Sequence, residues 1–142
     1  MLHYRIATPA DISAMMVIRL AVKENVLSNP ARVPYQMYVD YLDHLGRGWV
    51  CERAGNIIAF SYAAKADSSI WALFVQPEYE GLGAGKTLLT LATDWLFSLG
   101  NDSVSLGTTA DTRADRFYAR QGWLRGEMKD DIEVEYRLQK AP

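Results

Sequence analysis

The chain has little to offer sulfur or metal chemistry. It holds a single cysteine, Cys51, so no internal disulfide can close. That usage suits a reducing cytoplasm, the compartment expected here. Cys51 sits in an apolar run, which favours a buried, inert thiol over a nucleophile. Histidine is almost as scarce: His3 and His44, with that cysteine, form no ligand cluster, so no metal is expected. There is no surplus of positive charge either. Lys and Arg total 15 against 17 for Asp and Glu, a formal net charge of −2, which removes the electrostatic basis for binding nucleic acid. No apolar run approaches the roughly 20 residues that cross a bilayer. The opening Met1-Leu2-His3-Tyr4-Arg5-Ile6 lacks the basic-then-apolar order of a signal peptide. Internal repeats, linkers and a Gly-x-Ser-x-Gly nucleophile elbow are also missing.

What the sequence does have is the material for an ordinary core. Apolar residues make up 49% and charged residues 23% of 142 residues, the proportions of one globular domain over residues 1–142 that needs no disulfide or metal to fold. Seven strands and four helices are predicted. The first strand is Tyr4 to Ala7. Thr8-Pro9-Ala10-Asp11 then opens a helix through Leu20, with Thr8 and Asp11 as a capping box and Pro9 at its first position. A second helix runs from Tyr35 to Leu45, ended by Gly46 and Gly48. Three strand-like runs follow: Trp49 to Arg53, Ile57 to Ala64, and Ile70 to Val75. The last is apolar throughout, as a central strand would be. Lys86 to Leu99 carries Leu88, Leu91, Ala92, Trp95, Leu96 and Leu99 on one helical face. Ser103 to Leu106 reads as a strand. Thr112 to Gln121 reads as a short helix with a Thr112/Asp115 capping box and a Gly122 stop. Trp123 to Glu127 and Ile132 to Leu138 close the chain as strands. The order βαα, βββ, αβαββ predicts a mixed α/β (α+β) domain.

One segment carries chemistry: Glu80-Gly81-Leu82-Gly83-Ala84-Gly85-Lys86-Thr87, set between the apolar strand and the strong helix. A helix start leaves backbone N–H groups without partners and carries partial positive charge. Glycines let that backbone approach a ligand closely, which makes an anion site suited to phosphate. A Walker A loop needs four residues between its first glycine and Gly-Lys-Thr, and here there are only three. A dinucleotide fingerprint needs a third glycine where Lys86 stands.

Both this turn and a second stretch resemble the GNAT superfamily of N-acetyltransferases. Leu73-Phe74-Val75-Gln76-Pro77 followed by Gly81-Leu82-Gly83-Ala84-Gly85 is similar to the strand and turn that hold acetyl-CoA in that superfamily, with Glu80 where Gln or Arg is usual. Ala114-Asp115-Arg116-Phe117-Tyr118-Ala119-Arg120-Gln121-Gly122-Trp123 is similar to its Ala-x-x-Phe-Tyr-x-x-x-Gly-Phe segment, with Trp123 for Phe. The resemblance implies a mostly antiparallel sheet of about seven strands, flanked by about four helices, whose fourth and fifth strands splay around the cofactor. It implies that the backbone from Gly81 to Thr87 grips the pyrophosphate while the Glu80 side chain points away. It further implies that Leu73, Phe74 and Val75 pair with the pantetheine arm as an added strand, and that a backbone N–H there holds the oxyanion. Phe117 and Tyr118 would lie at the cofactor, with the Tyr118 phenol donating to the departing thiolate. Asp111 stands where the superfamily often has a cofactor-binding asparagine, and Arg113, Arg116 and Arg120 are candidates for the 3′-phosphate.

The implied reaction is acetyl transfer from acetyl-CoA to a primary amine, small or on a protein, by direct attack on the thioester. A non-catalytic acyl-CoA-binding module is the alternative, and a homodimer is compatible with either. The strand before the turn carries no acid, so the general base is sought after the first helix, at Glu24 first, with Asn25 and Ser28 beside it. His44 is a weaker candidate, and Tyr38 and Trp71 are candidate walls of the acceptor pocket.

Overall fold

The computed structural model describes residues 1–22 and 33–142. Along the chain these form β1 (Leu2–Ile6), a 3-10 turn (Pro9–Asp11), α1 (Ile12–Ala21), α2 (Tyr35–Leu42), β2 (Gly46–Arg53), β3 (Asn56–Ala64) and β4 (Ser69–Val75). A second 3-10 turn (Pro77–Tyr79) leads to α3 (Ala84–Ser98), β5 (Ser103–Thr109), α4 (Arg113–Arg120), β6 (Leu124–Met128) and β7 (Glu133–Gln139). The strands make one seven-stranded sheet in the order β1-β2-β3-β4-β5-β7-β6. Every neighbouring pair is antiparallel except β4 and β5, which are parallel. The predicted mixed sheet, four helices and central apolar strand are therefore present.

Each face of the sheet has its own core. One is built from Trp49, Ile58, Ile70, Leu88, Ala92, Leu96 and Tyr136, beneath α3 and α4. The other gathers Ile12, Met15, Ile18, Tyr38, Phe60, Tyr62 and Phe74 beneath α1 and α2. The entry to α1 is built as the sequence predicts, because the Asp11 carboxylate accepts the Thr8 N–H at 2.8 Å. The same carboxylate receives both ends of the Arg5 guanidinium at 2.8 Å.

The two glycines expected to stop the second helix have a different task. α2 ends at Leu42, and Gly46 and Gly48 lie inside β2. A Cβ on Gly46 would stand 1.8 Å from the Ala63 carbonyl oxygen, and one on Gly48 would stand 2.7 Å from Leu42 Cδ2. The close approach of the β3 backbone, not helix termination, requires glycine at position 46, and at position 48 the Leu42 side chain leaves little room for more. The turn between β2 and β3 places Ala54 and Gly55 at φ 53° and 82°, the left-handed pair of a tight two-residue hairpin.

Candidate active site

β4 and β5 pair at a single point, near the start of each strand. Their one aligned pair is Ser69 with Ser105. The Ser105 N–H donates to the Ser68 carbonyl at 3.0 Å, and the Ser68 hydroxyl donates to the Ser103 carbonyl at 2.6 Å. Beyond this stitch the strands part. On its other edge β4 stays paired with β3 as far as Val75, and the Gln76 N–H donates to the Ile58 carbonyl at 2.8 Å. Successive residues of a strand present their N–H groups to opposite edges. Those of Phe74 and Gln76 thus face β3, and those of Leu73 and Val75 face the gap, where no strand among the described residues receives them.

A cavity of about 670 Å³ fills the gap, and the side chains of Leu73, Phe74, Val75, Phe117 and Tyr118 are among its walls. β4 also carries a bulge, because the register passes from Ala63↔Ile70 to Tyr62↔Ala72 and leaves Trp71 as the extra residue. The bulge turns Trp71 and Ala72 together toward the α1/α2 face.

The glycine-rich turn closes one end of the cavity. Gly81 and Gly83 have φ of 84° and 87°, values costly for a residue with a Cβ. Gly83 caps α3, and the first helical bond runs from the Thr87 N–H to the Gly83 carbonyl at 3.2 Å. The N–H groups of Ala84, Gly85 and Lys86 precede that bond and have no partner within the helix. The helix begins two residues before its predicted start at Lys86, so Ala84 and Gly85 belong to its first turn. Gly81, Gly83, Ala84, Gly85 and Lys86 all line the cavity. Leu82, half exposed, and Thr87 do not.

Across this mouth the Glu80 carboxylate meets Arg113 Nε at 2.6 Å. The acid at position 80 is thus held by a cation from the first turn of α4. Arg113 and Arg120 line the cavity, and Arg116 does not.

Tyr118 is another wall of the cavity. It is buried against Phe117, Trp123 and Tyr136, with ring centroids 5.2 to 5.9 Å apart. The hydroxyls of two other buried tyrosines are committed elsewhere: Tyr136 donates to the Asp115 carbonyl at 2.8 Å, and Tyr62 to the Tyr38 carbonyl at 3.2 Å. Burial raises the Tyr118 phenol well above its ordinary pKa. It therefore keeps its proton through neutral and mildly alkaline pH.

α4 is fixed by Asp115, whose carboxylate accepts Arg125 Nε and Nη2 at 3.1 and 3.0 Å and the Asp111 N–H at 2.8 Å. The Thr112 hydroxyl accepts the Asp115 N–H at 3.3 Å, completing the expected cap. Hydrogen bonds, from Arg125 above all, hold the Asp115 carboxyl well below the usual carboxylate range.

The structure does not bring every predicted residue to the cavity. Asp111 is exposed at φ 63° and lies outside the lining; its N–H serves Asp115. His44 is exposed beside Asp43, away from the cavity. Glu24, Asn25 and Ser28 lie outside the described residues. Cys51 is buried, as expected. The described residues contain no metal-binding group of His, Cys, Asp or Glu and no helix long and apolar enough to cross a membrane.

Two features escaped the sequence reading. A smaller cavity of about 300 Å³ opens beside Trp71 and is lined by Asp67, Glu133 and Glu135 with Lys129. The alternation of Glu133 and Glu135 with Val134 and Tyr136 was legible, but the pairing of β7 with β5 that brings them beside Trp71 was not. The other is Arg19 on α1, whose Cζ stands 4.7 Å from the Phe74 ring centroid.

Residues 15–123 match the model of the Acetyltransferase (GNAT) family. A search of curated protein sequences finds no match. Solved structures share the fold. A GNAT-family acetyltransferase from Staphylococcus aureus Mu50 superposes with a TM-score of 0.84 at 18% identity, over 98% of this chain and 99% of that one. The PaiA N-acetyltransferase of Thermoplasma acidophilum, solved in complex with coenzyme A, gives 0.83 at 14% identity, over 99% of each chain. The ribosomal-protein-S18-alanine N-acetyltransferase of Escherichia coli gives 0.78 at 17% identity, over 100% of this chain and 97% of that one. The chain belongs to the GNAT family of acetyltransferases. It is an acetyl-CoA-dependent N-acetyltransferase.

Proposed function

We propose that the splay between β4 and β5 holds acetyl-CoA and that a primary amine attacks its thioester there directly. One arrangement carries this reading: free helix N–H groups, an unpaired strand edge and the Tyr118 phenol lie along a single cavity. The pyrophosphate sits on the N–H groups of Ala84, Gly85 and Lys86, where the partial charge of α3 favours an anion. Lys86 and Arg120 add cationic charge at the same mouth. The pantetheine amides pair with the open edge of β4 at Leu73 and Val75, as an added strand would. Coenzyme A and acetyl-CoA complexes of neighbours with this fold support the choice of donor.

In the reaction, the amine lone pair forms a bond to the thioester carbonyl carbon. A β4 N–H facing the gap holds the oxygen as it becomes negative. The carbon–sulfur bond then breaks, and the sulfur leaves with the electron pair while the Tyr118 hydroxyl donates to it. The attacking nitrogen sheds its proton to a carboxylate on the acceptor side. Glu24 holds that role by its place in the sequence, and Glu133 and Glu135 are alternatives from the smaller cavity. The acceptor amine is small or belongs to a protein, since neighbours of this fold include ribosomal-protein alanine acetyltransferases.

Calorimetry with acetyl-CoA, followed by thiol release across a panel of amines, tests the reading. Tyr118→Phe removes one oxygen and keeps the ring. Its kcat should fall by about 10- to 100-fold, while the Kd for acetyl-CoA moves by less than about threefold. Absence of binding at millimolar acetyl-CoA sinks the proposal, and an unchanged kcat removes Tyr118 from the mechanism.

A further inference from the structure

Among the described residues, Arg19 is a cation without a counter-charge. It projects from α1 toward β4, where its Cζ lies 4.7 Å from the centroid of Phe74 and 5.6 Å from that of Trp71. Its Nε and Nη1 are shut off from solvent and have no hydrogen-bond partner. The aromatic faces satisfy the face of the guanidinium, but they accept none of its in-plane N–H groups. Shielded donors of this kind are rarely left unused, and a shielded charge is costly until it is paired.

The described surroundings pair no ion with it. Among the described residues no carboxylate forms an ion pair with Arg19. Asp11, on the turn before α1, is already claimed by Arg5 at 2.8 Å. The Tyr38 phenol interacts with the Arg19 guanidinium, which lowers its pKa, but burial outweighs this and raises it, so Tyr38 is a neutral partner and not a counter-charge. Asp67, Glu133 and Glu135 line the cavity on which Trp71 borders.

The location gives the unpaired cation a use. Phe74, beneath the guanidinium, also lines the large cavity, as does Val22 at the end of α1. The bulge turns Trp71 to the same α1/α2 face. Arg19 therefore stands a ring's width from the wall of the cavity in which the thioester is placed, on the face opposite α3 and α4. An anionic group held by Arg19 would belong to a molecule whose amine lies only a few bonds away. Arginine is the side chain whose planar fork suits a carboxylate.

We infer that Arg19 is a specificity-determining residue that receives the carboxylate of the acceptor, and that the acceptor is a small amino acid bearing a free carboxylate close to its amine. The inference rests on the acetyltransferase reading above and narrows its acceptor. It excludes the N-terminal amine of a protein, whose neighbouring carbonyl is an amide.

The test compares L-α-amino acids, their primary amides and the matching decarboxylated amines as acceptors, with acetyl-CoA at saturation and thiol release as the readout. The wild type should turn over at least one acid with kcat/KM 10-fold or more above its amide. In Arg19→Gln the acid-to-amide ratio should collapse toward one, with the loss in KM for the acid. Arg19→Lys, which keeps the charge but not the fork, should retain only part of the preference. Calorimetry with coenzyme A on each variant confirms a folded cofactor site. Amides accepted as well as acids, an Arg19→Gln loss equal for both, or acetyl-CoA binding without turnover of any acid would each overturn the inference. Failure to bind acetyl-CoA at all would instead overturn the reading beneath it.

Discussion

At the scale of single residues, Glu80 shows how a sequence departure is absorbed. A carboxylate beside a pyrophosphate is repulsive, and the sequence alone asks only that it point elsewhere. The structure gives it an occupation, a 2.6 Å ion pair with Arg113. That pair has a cost for the ligand, because Arg113 lines the cavity and its charge is partly spent on Glu80. Both side chains are partly exposed, so the pair itself contributes little to stability. Glu80→Gln should therefore leave the melting temperature nearly unchanged and tighten coenzyme A by about threefold, as the repulsion goes and Arg113 turns toward phosphate. The gain should shrink in high salt. Calorimetry at two ionic strengths checks this, and weaker binding in the variant would mean that Glu80 aims Arg113 productively.

At the scale of elements, α4 matters because it carries Tyr118, and its position depends on one buried acid. Asp115 ties the loop before the helix, through the Asp111 N–H, to Arg125 on β6 and Tyr136 on β7. Its carboxyl is held below the unfolded value, so it binds a proton less readily folded than unfolded. The stability this confers is complete above the unfolded carboxylate pKa and is lost as pH falls through the lower folded value. The melting temperature of the wild type should thus decline below about pH 4. Asp115→Asn should lower the melting temperature at neutral pH, since it removes the charge of a buried carboxylate from its bonds to the half-exposed Arg125, the Tyr136 hydroxyl and the Asp111 N–H. It should also flatten the acid limb. Thermal melts from pH 3 to 7 check both, and an equal acid decline in the variant would place the effect elsewhere.

Much at the element scale was legible. The glycines at 81 and 83, the Thr112/Asp115 cap and the Phe117-Tyr118 pair are local signals, and local chemistry fixes them. Gly46 and Gly48 misled, because a glycine that stops a helix and one that admits a neighbouring chain look alike until the neighbour is known. The Trp71 bulge and the meeting of Glu133 with Asp67 depend on strand register and pairing across β5 and β7, which no local pattern encodes. Asp111 has the right address for a cofactor contact, yet its backbone is used to fix Asp115.

At the scale of the whole molecule, the sheet is two blocks joined by a short seam. β1 to β4 form one block and β5, β7 and β6 the other, and a single aligned parallel pair plus the serine contacts at Ser68 and Ser105 stitch them. α3 leaves one block and packs on both. The strand edge beyond the stitch lacks the partner that a continuous sheet would give it, and burial of such groups without a partner is costly. A ligand that inserts there as a strand repairs the sheet, so binding and stability are linked. At 100 times its Kd, acetyl-CoA should stabilise the fold by about 2.7 kcal/mol, which for a chain of this size raises the melting temperature by roughly 5–10 °C. Hydrogen exchange localises the effect. The amides of Leu73 and Val75 should exchange fast in the free protein and slow by at least 10-fold with acetyl-CoA, while Phe74 and Gln76, already bonded toward β3, change much less. Equal protection of all four on binding would indicate a general tightening and not strand insertion. Protection of Leu73 and Val75 before any ligand is added would mean that the gap is closed in solution, and that the two blocks must part before the cofactor can enter.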